Sequence, residues 1–470
     1  MSRADRVRAA LATGSVAWSA VRFSRGDGED LARVQRARLR DLVAHARAAS
    51  PYYRRLYRGL PPDTDELRLL PPVRKRDLMA HFDEWVTDPE VTLAALRRDW
   101  LEDPSRVGGL YLGRYHVATT SGVSGEPAVL VHDARSWALW FLVGQRGASP
   151  YLPARRIAAT VLREGLGEGL RTAAVFATGG HYGAAVTLED TRRRSRFLAG
   201  RLRMFSALRP LPELVAELND FRPTVLEGYP SAVALLAAEQ RAGRLRIRPF
   251  AVVTAGEDLS AAARADIEST FGCRVENRYA ATEVPGLAMQ CPAGLFHVNA
   301  DWYLLEPVDA QLRPVPAGVT SHTALVTNLG NRVQPLVRYD LGDSVRAVDG
   351  PCPCGSRLPA VTVHGRAADV VELAAADRGT VNVLPLALGA VLEETPGVRR
   401  FQVVRTGPQE LTVRLEPSLG ADEVAVRRAV DDRLAAFLSR QGVAPVRVVH
   451  DPEPPCPDPR SGKFRQVLSS

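Results

Sequence analysis

Between residues 129 and 290 the chain alternates short apolar runs with amphipathic stretches, and this alternation restricts the fold more than any other feature. Val129-Leu130-Val131 reads as a short strand and Ser136–Gly144 as an aromatic-rich helix. RIAATVL at Arg156–Leu162 and TAAVFA at Thr172–Ala177 are apolar without a polar alternate, the pattern of strands buried on both faces of a parallel sheet. Thr224–Leu226 and Ala251–Thr254 repeat that pattern on either side of a helix at Ser231–Ala242. A βαβ succession of this length predicts an α/β fold.

The flanks differ in character. Leu31, Val34, Leu39, Leu42, Val43 and Ala46 recur at helical spacing, and this helix is expected to stop before Pro51. A Pro-Tyr-Tyr turn and a Pro-rich link into a helix headed by Lys75 and Asp77 follow. Residues 297–345 alternate as strands broken by Pro/Gly turns, which predicts a smaller β-rich subdomain. After Arg366 come the strands DVVEL, FQVVR, LTVRLE and VRVVH, with helices at Leu384–Glu393 and Asp422–Leu438. About 100 residues suffice for a compact domain. The expected division is therefore a helical module at 1–95, a core at 96–366 that includes the β-rich part, and a small α+β domain at 367–470.

A chain of 470 residues exceeds what a single core holds, roughly 250–300 residues. Its 46% hydrophobic and 24% charged content is that of a globular protein. No stretch reaches the ~20 apolar residues of a membrane span, and no signal peptide is legible, so a cytoplasmic protein without a membrane partner is expected. The formal charge of +8 is spread among acidic residues, which argues against a nucleic-acid partner. Of the 61 basic residues only Lys75 and Lys463 are lysine, so a compact ammonium stands out at those two positions. The five cysteines, Cys273, Cys291, Cys352, Cys354 and Cys456, are an odd number, which speaks against a disulfide framework.

Several short motifs carry chemistry. TTSGVSGEP at Thr119–Pro127 offers hydroxyls and backbone N–H groups to an anion, although its spacing is not that of a G-x-x-x-x-G-K-[ST] loop and Ser/Gly clusters are mostly surface turns. YAATE at Tyr279–Glu283, YDLGD at Tyr339–Asp343, GRAAD at Gly365–Asp369 and SGKFR at Ser461–Arg465 follow in that order. Cys291-x5-His297 and Cys352-Pro353-Cys354-Gly355 supply three thiols and an imidazole, a set suited to a closed tetrahedral zinc site.

The ordered set resembles the adenylate-forming superfamily of acyl-CoA synthetases, luciferases and adenylation domains, and within it the phenylacetate–CoA ligase branch. The N-terminal helical module and the HYGA stretch at His181–Ala184 are similar to that branch. The resemblance implies a large domain with a small mobile one after it, ATP with Mg²⁺, and activation of a small carboxylic acid as an acyl-adenylate. Coenzyme A is the implied co-substrate. An amine, hydroxyl or carrier-protein thiol is the alternative acceptor, and a non-catalytic nucleotide-binding relative is a further reading. A homodimer stays an open arrangement.

Residue by residue, the resemblance implies that Thr120, Ser121, Gly122, Ser124 and Gly125 hold phosphates. Ala255, Gly256, Glu257 and Tyr279 would lie along the adenine. Asp343 would bind both ribose hydroxyls, with Arg338 and Arg366 as ribose or phosphate contacts. Glu283, beside Thr282, would hold Mg²⁺, and Lys463 would bridge the carboxylate and the α-phosphate. His181, Tyr182, Gly183, Tyr229, Pro230 and Ser231 would line the acyl pocket, sized for an aromatic or other planar acid. Relatives in the branch carry zinc at comparable cysteines and histidine. Two positions depart from the family pattern: Glu126 stands where Lys is usual, and Ala368 where the hinge residue is expected.

Overall fold

The structure is a computed structural model that describes residue 14 and residues 28–61, 64–120, 127–143, 146, 170–178, 180–207, 209–366, 371–383, 388–389, 391–392, 395–457 and 464–469. The expected strand at Arg156–Leu162 lies outside these residues.

The N-terminal module is α1 (Gly28–Ala49), α2 (Pro51–Leu56), α3 (Lys75–Ala80) and α4 (Phe82–Trp85). The expected Pro-Tyr-Tyr turn is instead the start of α2. Ser50 caps it by accepting the Tyr53 N–H, and Pro51 sits in the first turn, where its missing N–H costs nothing. Tyr53 and Trp85 are fully buried. The Tyr53 hydroxyl donates to the Pro335 carbonyl at 3.2 Å, and the Trp85 indole donates to the same oxygen at 2.6 Å. These bonds fasten the helices to the segment that leads into the YDLGD strand.

After this module β1 (His116–Thr119) and β2 (Val129–His132) form an antiparallel pair flanking the Thr/Ser/Gly loop, followed by α5 (Ala134–Leu142). The main sheet begins with β3 (Thr172–Phe176). It continues through α6 (Gly183–Arg194), β4 (Leu202–Ser206), α7 (Leu211–Phe221), β5 (Val225–Gly228), α8 (Pro230–Arg241), β6 (Ala251–Ala255), α9 (Ala261–Phe271) and β7 (Val275–Ala281). Strands β4-β3-β5-β6-β7 run parallel in that spatial order. The runs of β3 and β6 are buried on both faces along nearly their whole length, as the sequence pattern requires.

The β-rich stretch divides between two sheets. β8 (Val284–Gln290) and β9 (Phe296–Val298) extend the main sheet antiparallel, whereas β10 (Tyr303–Val308), β11 (Thr323–Asn328) and β12 (Leu336–Asp340) form a separate three-stranded sheet. β13 (Asp343–Ala347) and β14 (Ala360–Arg366) then return to the edge of the main sheet, which reaches nine strands. The α/β class with mostly parallel strands in its helical half and added antiparallel strands agrees with the expected class.

The C-terminal part holds a β15 (Val371–Ala374) and β16 (Thr380–Val383) hairpin. It also holds a four-stranded sheet of β17 (Val398–Gly407), β18 (Glu410–Pro417), β19 (Arg447–Asp451) and β20 (Val467–Ser469), covered by α10 (Glu423–Arg440). These elements share their own buried core, with Phe401, Val413, Val430 and Leu434 at its centre. Of the helix expected at Leu384–Glu393, only four residues are described, all helical. Among the described residues no helix is long and apolar enough to cross a membrane.

Candidate active site

Three parallel strands end on one side of the main sheet, and the residue runs after them face the same cleft. Pro230 and Ser231 follow β5, Gly256 and Glu257 follow β6, and Thr282 and Glu283 follow β7. Open α/β sheets bind ligands at this end, where strand termini leave a crevice between the following loops. The cleft measures about 1310 Å³. Its far walls are Tyr339 to Asp343 and, from the C-terminal part, Arg399, Arg400 and Phe464 to Val467.

Two hydrogen-bonded pairs organise the floor. The Tyr279 hydroxyl donates to Asp343 Oδ2 at 2.8 Å, joining the end of β7 to the start of β13. The Tyr339 hydroxyl donates to Glu283 Oε1 at 3.0 Å, and both side chains are buried. The Glu283 backbone carbonyl accepts from Asn328 Nδ2 at 3.1 Å, so the β10–β11–β12 sheet holds both the backbone and the side chain of this residue. Thr120 also lines the cleft and closes the neck of the Thr/Ser/Gly loop. Its N–H donates to the Ala128 carbonyl at 3.0 Å, while its hydroxyl accepts the Ala128 N–H at 2.8 Å.

Residues from four separate sequence motifs thus meet: Thr120, Gly256 with Glu257, Tyr279 with Thr282 and Glu283, and Asp343. Ser121, Gly122, Ser124, Gly125, Glu126, Ala368 and Lys463 lie outside the described residues. Ala255 ends β6 beside Gly256 and Arg366 ends β14 beside Gly365, and both glycines are on the wall.

The structure corrects two expectations. The Arg338 guanidinium is buried away from the cleft. It donates to Glu306 Oε2 at 3.0 Å and to the Leu70 carbonyl at 2.8 Å, tying β10 and the N-terminal module together. Its backbone adopts a left-handed φ of 50°, with its N–H held by Thr327 Oγ1 at 2.9 Å, beside the β11–β12 register shift. That backbone kink is what turns the side chain inward.

The expected acyl pocket also divides. Pro230 and Ser231 line the cleft, whereas His181, Tyr182, Gly183 and Tyr229 are not on its wall. His181 is buried 6.5 Å from the Trp100 ring, and its carbonyl accepts the Thr119 N–H at 2.7 Å. Burial lowers its imidazole pKa. Tyr182 begins α6, and a side chain on Gly183 would collide with Trp140 at 2.5 Å. Tyr229 packs edge-on against Phe176 at 4.9 Å, and burial raises its phenol pKa. Of these four, His181 and Tyr182 brace the end of the strand that enters the Thr/Ser/Gly loop, at Thr119.

Sequence reasoning assigned no site role to Tyr339, Asn328, Arg278 or Arg400. Tyr339 stood within the quoted YDLGD motif, and its place before two acidic residues was the available signal. Arg278 lies on the cleft floor, its Nε donating to Glu276 Oε1 at 2.6 Å. Arg400 sits inside a plain strand pattern and reaches the cleft only because the C-terminal sheet packs there.

No family model matches the sequence. The chain is 26% identical to the phenylacetate-coenzyme A ligase of Thermus thermophilus, over 94% of this chain and 96% of that one. It is also 27% identical to protein CapK of Staphylococcus aureus, over 28% of each chain. Among solved structures, 2-hydroxyisobutyryl-CoA ligase in the postadenylation state with R3-HIB-AMP superposes with a TM-score of 0.64 at 22% identity, covering 93% of this chain and 89% of that one. This chain has the fold of the adenylate-forming superfamily.

The likeness to the phenylacetate-coenzyme A ligase over nearly the whole chain also bears out the branch resemblance. Set beside this adenylate-forming fold is a compact Cys/His cluster at the edge of the main sheet. The ligand atoms of Cys291, His297, Cys352 and Cys354 all lie within 4.8 Å of one another. Cys291 Sγ and Cys352 Sγ are 3.7 Å apart, and Cys354 Sγ is 3.2 Å from His297 Nε2. Tetrahedral thiolates at ~2.3 Å from zinc stand roughly 3.8 Å apart, so the donor set fits that ion. His297 Nδ1 lies 2.9 Å from the Leu358 carbonyl, which fixes the ring with Nε2 toward the sulfurs.

Proposed function

We propose that this protein is an AMP-forming acyl-CoA ligase that activates a small carboxylic acid with ATP and passes the acyl group to coenzyme A. The observation that carries this reading is the meeting of Thr120, Glu283, Tyr279 and Asp343 in one cleft closed by the segment directly after Lys463.

In the first half-reaction a carboxylate oxygen attacks the α-phosphorus of ATP. The bond to the bridging oxygen breaks, and pyrophosphate leaves with that electron pair. Two anions must approach each other, so the barrier is mainly one of positioning and charge neutralisation. Asp343, held by Tyr279, accepts from the ribose hydroxyls. Glu283, held by Tyr339, is the carboxylate suited to Mg²⁺, which neutralises charge on phosphate oxygens when bound. The Thr/Ser/Gly loop cradles the outgoing phosphates, and Lys463 joins the two reacting anions. In the second half-reaction the thiol sulfur attacks the acyl carbon, its proton is released, and AMP departs with the C–O electron pair.

We assign 367–470 as a small domain that turns between the two steps, 96–366 as the core and 1–95 as its helical module. The Cys/His cluster is assigned to structural zinc, distant in role from the chemistry. We place the reaction in the cytoplasm, where ATP and coenzyme A are at hand.

The test is acid-dependent pyrophosphate release across a panel that includes aryl and short hydroxy acids, followed by product mass with coenzyme A, amines or a carrier thiol supplied. Thioester with coenzyme A is expected. Amide, ester or carrier products would move the acceptor, and ATP binding without any pyrophosphate release would replace the enzyme reading with a nucleotide-binding one. Lys463→Ala should lose adenylation and keep ATP binding.

A further inference from the structure

The Glu257 carboxylate accepts one hydrogen bond from the core and one from the C-terminal part. Its Oε2 accepts the Ser231 N–H at 3.0 Å, at the start of α8. Its Oε1 accepts the N–H of Phe464. Phe464 leads into the C-terminal sheet: two residues on, the Gln466 carbonyl accepts the Val403 N–H at 2.7 Å, and Val467 pairs with Val403. The Arg400 guanidinium lies 4.0 Å over the Phe464 ring. Burial lowers the Arg400 pKa, and the Glu416 and Glu257 carboxylates oppose that shift. The adenine-side role that the motif resemblance implies for Glu257 leaves these two bonds unexplained.

We propose that Glu257 is a positioning residue for the first half-reaction, latching the C-terminal part onto the cleft by accepting the Phe464 N–H while Ser231 holds its other oxygen. The donor is the amide that follows Lys463 in the chain. A latch at this amide therefore sets the tail's placement during adenylation and has to open for any rearrangement that precedes thioester formation. The chemistry explains why a carboxylate is needed. Two N–H donors converge on one side chain, and only an ionised carboxylate offers an acceptor to each. Glutamine offers one carbonyl oxygen and turns an NH2 toward the second donor. Aspartate, one methylene shorter, reaches one of the two.

This inference rests on the adenylation reading, and its first measurement does not. Hydrogen exchange at the Phe464 amide, in full-length protein without substrates, should speed up in Glu257→Gln relative to wild type. The second measurement splits the reaction. Acid-dependent pyrophosphate exchange should fall on the order of ten- to hundredfold, the loss of one charge-assisted hydrogen bond. Thioester formation from supplied acyl-adenylate and coenzyme A should fall much less. Unchanged exchange at Phe464, or an equal fall in both half-reactions, overturns the proposal. If Glu257→Gln does not fold, Arg400→Leu carries the same two measurements with the same expected split. A wild-type protein that exchanges no pyrophosphate with any acid overturns the adenylation reading, while the Phe464 result still decides whether the latch exists.

Discussion

Tyr339→Phe isolates one hydroxyl in the cleft. The Tyr339 ring is buried in the core, and phenylalanine preserves its packing and its strand pairing with Val326. What is lost is the 3.0 Å donor to Glu283 Oε1. A hydrogen bond to a charged group is worth about 1.5–3 kcal/mol net, and here the acceptor is itself buried, so the upper half of that range applies. Since about 1.4 kcal/mol is tenfold, adenylation should slow roughly 40- to 150-fold if the oriented carboxylate is needed to hold the metal. The Mg²⁺ concentration for half-maximal rate should rise in parallel, whereas KM for the acid should move little. The assay is pyrophosphate exchange at a series of Mg²⁺ concentrations, with a thermal melt as control. An unchanged Mg²⁺ dependence together with an unchanged rate would refute the assignment of Glu283 as the metal carboxylate. A fall in rate that tracks a fall in melting temperature would mean that the bond serves stability alone.

Three further outcomes follow from other parts of the molecule. Elemental analysis of purified protein should give close to one zinc per chain, and Cys354→Ser or a strong chelator should lower both zinc content and melting temperature; full stability without metal would remove the site. Burial holds the His132 imidazole down at about 3, against an ordinary 6.5. The unfolded chain therefore takes up that proton first as pH drops, and stability is intact above about 6.5 and is lost progressively down to about 3, by up to ~1.4 kcal/mol per pH unit. Urea unfolding at pH 7 and pH 5 should show a smaller loss in His132→Asn than in wild type, and equal losses would exclude the histidine as a source. Gly183→Ala places a Cβ 2.5 Å from the Trp140 ring. It should cost about 1–3 kcal/mol as an overpacked contact, read by urea unfolding, and an unchanged midpoint would mean that the ring moves aside freely.

The sequence order of the motifs was enough to name the adenylate-forming fold, because each motif keeps its loop chemistry wherever the chain carries it. The parallel strands were legible for the same local reason: Ala251–Val253 is apolar on every residue, and only a strand covered on both faces tolerates that. The Cys/His set was legible because four strong ligands in one chain are rarely coincidental, and the fold brings their atoms together. Arg338 was misread for a physical reason that no pattern exposes. Its side-chain direction depends on a left-handed backbone beside a β-irregularity, which only the β10–β11–β12 sheet imposes.

Residue type and spacing therefore marked the groups on which the proposed function draws: a Thr/Ser/Gly loop, the Glu283 and Asp343 carboxylates, and a set of three thiols and an imidazole. Tertiary structure decided which of those groups are held and by what. Tyr339 orients Glu283, Tyr279 orients Asp343, and the amide of Phe464 meets Glu257 across 207 positions of sequence. Such pairings depend on distances that arise only when separate sheets pack. Hydrogen bonds act over about 3 Å of space whatever the separation along the chain.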